Sequence, residues 1–293
     1  MPEIARTRRL VKKHSFSYKK SYGQHFLIDE RVKQKIIDAC SPAKDDLVIE
    51  IGPGAGSLTK SLAELAGKVC AIEIDAKLIP LLTETLAGCE NVTVINGDAL
   101  KADIMGIIAG SGMKRAKVAA NLPYNIATAV IAGFLQKRYP LESMTVMVQK
   151  EVAERLTASP GGKNYGSLSI FANYYCETSL VANVPVNAFV PRPGVDSAVV
   201  KLVLRSEPPV SLGSDGDEDL FFKMVRAAFS HRRKTLINCL TVGGAIKINS
   251  SKEELAEIFD TLGINAQIRG EALGLAEFAG IFGALKEGGH IYG

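Results

Sequence analysis

The sequence has no run of about eighteen uninterrupted apolar residues, which excludes a membrane-spanning helix on hydropathy grounds. Its cysteines, Cys40, Cys70, Cys89, Cys176 and Cys239, are odd in number, scattered, and without a Cys-x-x-Cys pair. They read as reduced thiols and not as a disulfide framework or a zinc site. The histidines, His14, His25, His231 and His290, lie far apart with no ligand spacing, so no metal is expected. No internal repeat occurs, and no low-complexity tract beyond the N-terminal arm. The basic N-terminus is not followed by an apolar stretch, so a secretory signal is not expected. Composition alone leaves a mitochondrial presequence open. The expected location is the cytoplasm and the expected state a monomer.

What is present is a chain of 293 residues, 47% hydrophobic, with a net charge of only +4. That length allows one large domain with a smaller appendage. The charge is uneven. Arg6, Arg8, Arg9, Lys12, Lys13, Lys19 and Lys20 stand against Glu3 alone in the first twenty residues, and the remainder is slightly acidic. Such an arm reads equally as a solvated tail or as a grip on phosphates.

The stretch Leu47 to Ile51 is a buried-strand pattern that runs straight into Gly52-Pro53-Gly54-Ala55-Gly56, after which Ser57-Leu58-Thr59 opens a helical pattern. Glycines at alternate positions let the backbone bend sharply and come close to a ligand. About twenty residues on, at the end of the apolar run Val69 to Ile74, Glu73 is placed to accept hydrogen bonds from two ribose hydroxyls. A glycine turn alone is equally a tight strand-to-helix connection; the spacing to Glu73 favours a nucleoside cofactor. The spacing Gly-x-Gly-x-Gly after Glu50 differs from the dinucleotide fingerprint. It resembles the first motif of Rossmann-like methyltransferases, which bind S-adenosylmethionine, a ligand without phosphate.

From Leu47 to Lys150 strand-like runs alternate with helical ones, which predicts an α/β fold: a parallel Rossmann-like sheet with helices on both faces. The strands are expected at 47–51, 69–74, 92–95, 118–121 and 144–148, with two more at 181–186 and 197–203. Asp29 caps a helix ahead of them. Residues 207–219, with Pro208, Pro209 and the acidic 215–219, read as a linker. The rest predicts a small, all-helical C-terminal domain. The expected organisation is a basic arm over 1–20, a methyltransferase domain over 21–206, the linker, and the helical domain over 220–293.

Two strand ends carry chemistry. Asp98, after the third strand, reads by itself as a turn or cap; in register with the glycine loop it can accept from the exocyclic amine of a cofactor adenine. The fourth strand ends in Asn121-Leu122-Pro123-Tyr124, by itself a respectable strand-end turn. The exocyclic amine of a target adenine is a poor nucleophile because its lone pair is delocalised into the ring. Two acceptors, the side-chain oxygen of Asn121 and the carbonyl of Leu122, favour a pyramidal nitrogen with a freer lone pair. Pro123 stiffens the turn. Tyr124 offers a stacking face to a base that has left its helix, worth about 1–3 kcal/mol. In-line placement against a sulfonium then suffices, without metal or strong base.

Together these segments identify the chain as resembling the small-subunit ribosomal RNA adenine N6,N6-dimethyltransferase family. The resemblance is carried by Tyr22-Gly23-Gln24-His25-Phe26-Leu27, Glu50 to Gly56, Glu73-Ile74-Asp75, Gly97-Asp98-Ala99, Asn121 to Asn125, Gln149 to Val152, Tyr165-Gly166, Phe189-Val190-Pro191 with Val195 to Val199, and Arg232 to Leu236. It covers most of the chain from Ser21. It implies S-adenosylmethionine as cofactor, with contacts at His25, Leu27, Gly52, Gly54, Glu73, Asp98, Ala99 and Asn121. It implies Phe189 as a second wall of the adenine pocket, opposite Tyr124. The family usually has Asn at the position of His25, where a main-chain contact would survive the change. The resemblance also tilts the arm and the Arg232-Arg233-Lys234 cluster toward RNA, and implies small-subunit ribosomal RNA in an assembling particle as the partner. The competing readings are the antibiotic-resistance enzyme that methylates large-subunit RNA, a mainly non-catalytic assembly factor on the same fold, and a DNA adenine methyltransferase. The 195–199 and 232–236 segments favour the first family over the large-subunit enzyme.

Overall fold

The computed structural model describes Ala5, Arg9, Lys13, His14 and residues 24–213, 216–242 and 246–292. A two-residue strand, β1 (Phe26–Leu27), precedes helix α1 (Glu30–Cys40). The Asp29 carboxylate accepts from the N–H groups of Arg31 and Val32, two donors that the first turn of α1 leaves unpaired. Val32, Ile36, Ile37 and Cys40 recur at helical spacing and form its buried face. Strands and helices then alternate as β2 (Asp46–Ile51), α2 (Ser57–Leu65), β3 (Lys68–Glu73), α3 (Ile79–Thr85), β4 (Val92–Asn96), α4 (Ile104–Ser111), β5 (Arg115–Asn121), α5 (Ala127–Gln136) and β6 (Ser143–Gln149). After α6 (Lys150–Leu156) and α7 (Ser167–Tyr175) come β7 (Cys176–Val184), β8 (Phe189–Val190) and β9 (Ser197–Leu204).

The main sheet has seven strands in the order β4-β3-β2-β5-β6-β9-β7. The strands from β4 across to β6 pair in parallel, as the alternation predicts. β9 pairs antiparallel with β6, its first residue Ser197 lying opposite Gln149, so the sheet is mixed. β7 begins earlier than expected, at Cys176, and ends at Val184. Every residue of β2 is buried, as a central strand covered on both faces requires. The core includes Ile36, Val48, Leu62, Ala119, Met147 and Val199.

Asp46, at the start of β2, is fully buried. Its carboxylate pairs with Lys117 at 2.9 Å and with Arg115 at 2.6 Å, both on the neighbouring β5. It also accepts from the Ala43 N–H.

The chain divides into two compact units, 1–153 with 178–204, and 154–177 with 205–293. The second unit therefore takes in α7, which the expected boundaries place in the methyltransferase domain. The reason is the aromatic face of α7. Phe171, Tyr174 and Tyr175 pack their rings on Phe222 of α8 (Asp217–Ala228). Both tyrosine hydroxyls donate to the Glu218 carboxylate. The expected linker ends earlier than 219. Asp217, Glu218 and Asp219 form the first turn of α8, where carboxylates oppose the positive end of the helix dipole. The unit continues with α9 (Leu236–Thr241), β10 (Lys247–Ile248), α10 (Lys252–Thr261), α11 (Leu275–Glu287) and β11 (Ile291–Tyr292). β10 and β11 pair antiparallel, a short ladder that the all-helical expectation does not include.

Candidate active site

In the strand order the chain runs outward from β2 through β3 to β4, and in the other direction from β5 to β6. The reversal lies between β2 and β5, and a ligand crevice is expected beyond the C-terminal ends of strands at such a point. A cleft lies there, within the first unit. The loops leaving β2 and β5 line it, together with residues 24–27 and the ends of β3 and β4.

The loop after β2 makes its turn through positive φ values of 69°, 56° and 79° at Gly52, Gly54 and Gly56. A Cβ at Gly54 would lie 3.0 Å from the Phe26 ring, so this position is bare both by conformation and by space. The result is a main-chain surface open to the cleft at Gly52 and Gly54.

The wall formed by residues 24–27 is held from far away in sequence. β1 pairs antiparallel with β8, Phe26 opposite Val190 and Leu27 opposite Phe189. The Ile28 N–H donates to the Ala188 carbonyl at 2.8 Å. Beside this ladder His25 Nδ1–H donates to the Pro191 carbonyl at 2.8 Å. The His25 ring stacks on the Tyr124 ring, with centroids 5.5 Å apart and planes inclined by 28°. The Tyr124 hydroxyl is bonded to Ser197 Oγ at 2.6 Å.

Asn121 Nδ2 donates to the His25 main-chain oxygen at 2.9 Å. A carbonyl oxygen only accepts, so the Asn121 amide is oriented with Nδ2 toward His25 and Oδ1 on the other side. This bond to Asn121 uses the main chain of position 25 and is independent of whether Asn or His stands there. The Leu122 N–H is committed to the Met147 carbonyl of β6.

Three carboxyls face the same cleft. Glu73 is raised above its ordinary value by burial, against the N–H groups of Asp75 and Gly54, which favour the charged form. Its Oε1 accepts from the Asp75 N–H at 2.8 Å. Asp98 Oδ1 accepts from the Leu100 N–H at 3.0 Å. Glu50 is only 2% exposed, and its Oε2 has no hydrogen-bond partner. Burial pushes it up to about 8, with the Thr59 hydroxyl opposing and the neighbouring Glu73 adding to the rise. Lys33, from α1, also lines the cleft, its ammonium pairing with Glu30 at 2.7 Å and donating to Ser57 Oγ at 3.2 Å.

All the residues expected to touch a cofactor, His25, Leu27, Gly52, Gly54, Glu73, Asp98, Ala99 and Asn121, line this one cleft, as do Leu122, Pro123 and Tyr124. Phe189 does not. Expected as the second wall opposite Tyr124, it is 1% exposed and packs in the core with Leu27 and Ala188. The β1–β8 ladder turns it inward, and the ring that lies against Tyr124 is His25. Glu50 and Lys33 are not among the expected contacts. An acidic residue inside an apolar strand run is a signal that finds Glu50; Lys33 has none, being one cation among several on a helix.

The expected RNA-binding residues divide. Arg6, Arg8, Lys12, Lys19 and Lys20 lie outside the described residues. Arg9 is exposed. Lys13 pairs with Glu84 at 2.7 Å, and His14 Nε2 lies 2.8 Å from the same carboxylate. In the second unit, Arg232 donates to the Lys163 carbonyl at 2.6 Å and pairs with Glu271 at 3.3 Å. Arg233 and Lys234 are exposed, with no ion pair among the described residues. Thr235 caps the short α9 that follows.

Among the described residues no three His, Cys, Asp or Glu side chains gather as metal ligands, and no helix is long and apolar enough to cross a membrane.

The sequence profile of the family described as ribosomal RNA adenine dimethylase matches residues 15–275. Among similar proteins, the ribosomal RNA small subunit methyltransferase A of Geobacillus thermodenitrificans is 46% identical over 282 residues, 96% of this chain and 95% of that protein. The protein of the same name from Lachnoclostridium phytofermentans is 47% identical over 280 residues, 95% of each chain. Among solved structures, the dimethyladenosine transferase from Plasmodium falciparum superposes with a TM-score of 0.73 at 28% identity, covering 92% of this chain and all of that one. The 23S rRNA methyltransferase ErmE superposes with a TM-score of 0.67 at 26% identity, covering 89% of this chain and 99% of that one. With the glycine loop, the acidic strand ends and the Asn-Leu-Pro-Tyr turn gathered on one cleft, and a profile match over most of its length, this chain belongs to the ribosomal RNA adenine dimethylase family.

Proposed function

We propose that this protein transfers methyl groups from S-adenosylmethionine to the N6 amines of two adjacent adenines in a hairpin of small-subunit ribosomal RNA, acting in the cytoplasm on an assembling small subunit. Family membership supports the reaction. The two relatives named for the small subunit, at 46% and 47% identity, support this substrate over that of ErmE, which is 26% identical.

The cleft fits the cofactor. The bare main chain at Gly52 and Gly54 admits a flat, phosphate-free nucleoside, and Glu73 is the acceptor for its ribose hydroxyls. Asp98, with one oxygen committed to Leu100, offers the other to the adenine amine. Lys33 is the sole Lys or Arg in the lining among the described residues and suits the carboxylate end. When bound, the cofactor supplies an electrophilic methyl group on a sulfonium.

The observation that carries the catalytic reading is the bond from Asn121 to the His25 carbonyl. It presets the amide oxygen as an acceptor before any substrate arrives, which is the preorganisation that a reacting centre requires. Asn121 Oδ1 and the Leu122 carbonyl then take the two N–H bonds of the target amine. Tyr124, held at both its hydroxyl and its ring, supplies the stacking face. Incubation with methyl-labelled cofactor and unmethylated small-subunit particles, followed by mapping of the modified bases, tests this. Two adjacent dimethylated adenines in small-subunit RNA are expected; label confined to large-subunit RNA or to DNA refutes the assignment.

A further inference from the structure

Glu50 stands apart from the other ionisable groups that line the cleft. His25 is bonded to Pro191, Lys33 to Glu30, Glu73 to the Asp75 N–H, Asp98 to the Leu100 N–H, and Tyr124 to Ser197. Glu50 Oε2 is buried with no hydrogen-bond partner. The Thr59 hydroxyl of α2 favours the charged form of Glu50 but carries no charge to pair with it. The charged group that acts on Glu50 is another carboxyl, Glu73 from β3. The cation of the lining, Lys33, is already engaged by Glu30 and Ser57.

An unpaired carboxylate buried in a central strand is strongly disfavoured, so such a group either finds a cation or keeps its proton. None of the described residues supplies a cation to Glu50. S-adenosylmethionine, the ligand that fits this cleft, carries two, an ammonium and a sulfonium.

We propose that Glu50 is the counter-charge for the cationic methionyl end of the cofactor, and that cofactor binding expels the Glu50 proton into solvent. The proposal rests on the S-adenosylmethionine reading above. The step balances: a neutral carboxylic acid becomes a carboxylate, its proton passes to the buffer, and the new negative charge is neutralised by the ligand cation. Burial, which holds Glu50 near 8 in the free protein, then makes the binding-competent form a minor fraction at neutral pH. Apparent affinity is reduced by that fraction. It should improve by close to tenfold per pH unit well below 8 and level off above it.

The test is calorimetric titration of the full chain with S-adenosylmethionine at pH 6.5, in two buffers of different ionisation enthalpy. The difference in observed heat counts the protons released. The wild-type protein should release close to one. Glu50→Gln, a neutral isostere of the free-state side chain, should release close to none and lose the pH dependence of Kd, while Glu73→Gln, which should bind more weakly for want of its ribose acceptor, should still release close to one. Circular dichroism confirms that each variant is folded. Wild-type binding without proton release, or release that persists in Glu50→Gln, overturns the proposal and leaves the cofactor reading intact. Release that vanishes only in Glu73→Gln assigns the proton to Glu73 and likewise overturns it. Failure of the wild-type chain to bind the cofactor overturns the cofactor reading, and this proposal with it. The pH dependence of the wild-type Kd between 6.0 and 7.5 gives a second measurement that needs no variant, and a flat profile there is equally fatal.

Discussion

The side-chain amide of Asn121 donates to the main-chain oxygen of His25 at 2.9 Å, across ninety-six positions of sequence. This bond fixes the orientation of the amide, and in the proposed reaction that sets Oδ1 toward the target amine. Asn121→Ala removes the acceptor, and turnover in single-turnover methylation of small-subunit particles should fall by about 100-fold or more, the scale of losing one preorganised polar group. Asn121→Asp keeps the acceptors but loses the N–H anchor and sets a carboxylate against a carbonyl. It should also be impaired, by about tenfold or more, since an unmet polar contact costs about 1–3 kcal/mol. Full activity in Asn121→Asp would show that the anchor to His25 has no catalytic role.

Tyr124 is fixed by its hydroxyl as well as by its face, through Ser197 at 2.6 Å. Tyr124→Phe and Ser197→Ala break the same bond and should produce matching defects, of about 0.5–1.5 kcal/mol in kcat/KM for RNA. Tyr124→Ala also loses the stacking surface, about 1–3 kcal/mol more. The double variant Tyr124→Phe with Ser197→Ala should be no worse than either single one. Additive losses would mean that Ser197 acts on something other than Tyr124.

At the opposite end of β2, Asp46 is fully buried against Lys117, itself only 5% exposed. Burial alone would raise the Asp46 carboxyl, but the bonds to Lys117, Arg115 and the Ala43 N–H outweigh it and hold the group below its ordinary value. Asp46→Ala leaves the Lys117 ammonium with Glu142 at 3.5 Å and the Ser41 carbonyl at 2.8 Å, and should cost about 1–3 kcal/mol in urea unfolding. Unfolding returns Asp46 to a value near 3.8. Its contribution is therefore full above that pH and is lost as pH falls toward the folded value. Acid unfolding followed by circular dichroism should show wild type and Asp46→Ala converging in stability below about pH 4.

The Arg232-Arg233-Lys234 cluster is not one functional unit. Arg232 ties to Lys163 and Glu271, so Arg232→Ala should lower thermal stability as well as any affinity for RNA. Arg233 and Lys234, exposed and without an ion pair among the described residues, isolate the RNA role. Their double alanine variant should keep wild-type Tm and cofactor affinity. It should weaken particle binding and flatten the log–log salt dependence by about 0.7–0.9 for each phosphate that is no longer neutralised. An unchanged salt slope would make the pair an ordinary solvated surface.

The glycine loop, the acidic strand ends and the Asn-Leu-Pro-Tyr turn are legible in the sequence because their causes are local. A central parallel strand must be apolar throughout, a backbone at positive φ favours glycine, and alternating periods of two and 3.6 mark strands and helices residue by residue. These suffice for the parallel strands β2 to β6 and for most of the cleft lining; the strand order, its switch point and the antiparallel β9 come with the fold. The Asp29 cap of α1 and the acidic first turn of α8 are local too, although the latter reads as a linker in the sequence, since carboxylates suit both. Pairings between distant segments carry no such local mark and come only with the fold. The β1–β8 ladder joins residues more than 160 positions apart and turns Phe189 into the core, leaving His25 as the ring against Tyr124. The packing of α7 on α8 moves 154–177 into the second unit. The partners that occupy Arg232, and the lack of one at Glu50 Oε2, follow from neighbours that the fold assembles, because burial and pairing belong to three-dimensional surroundings that no local period records.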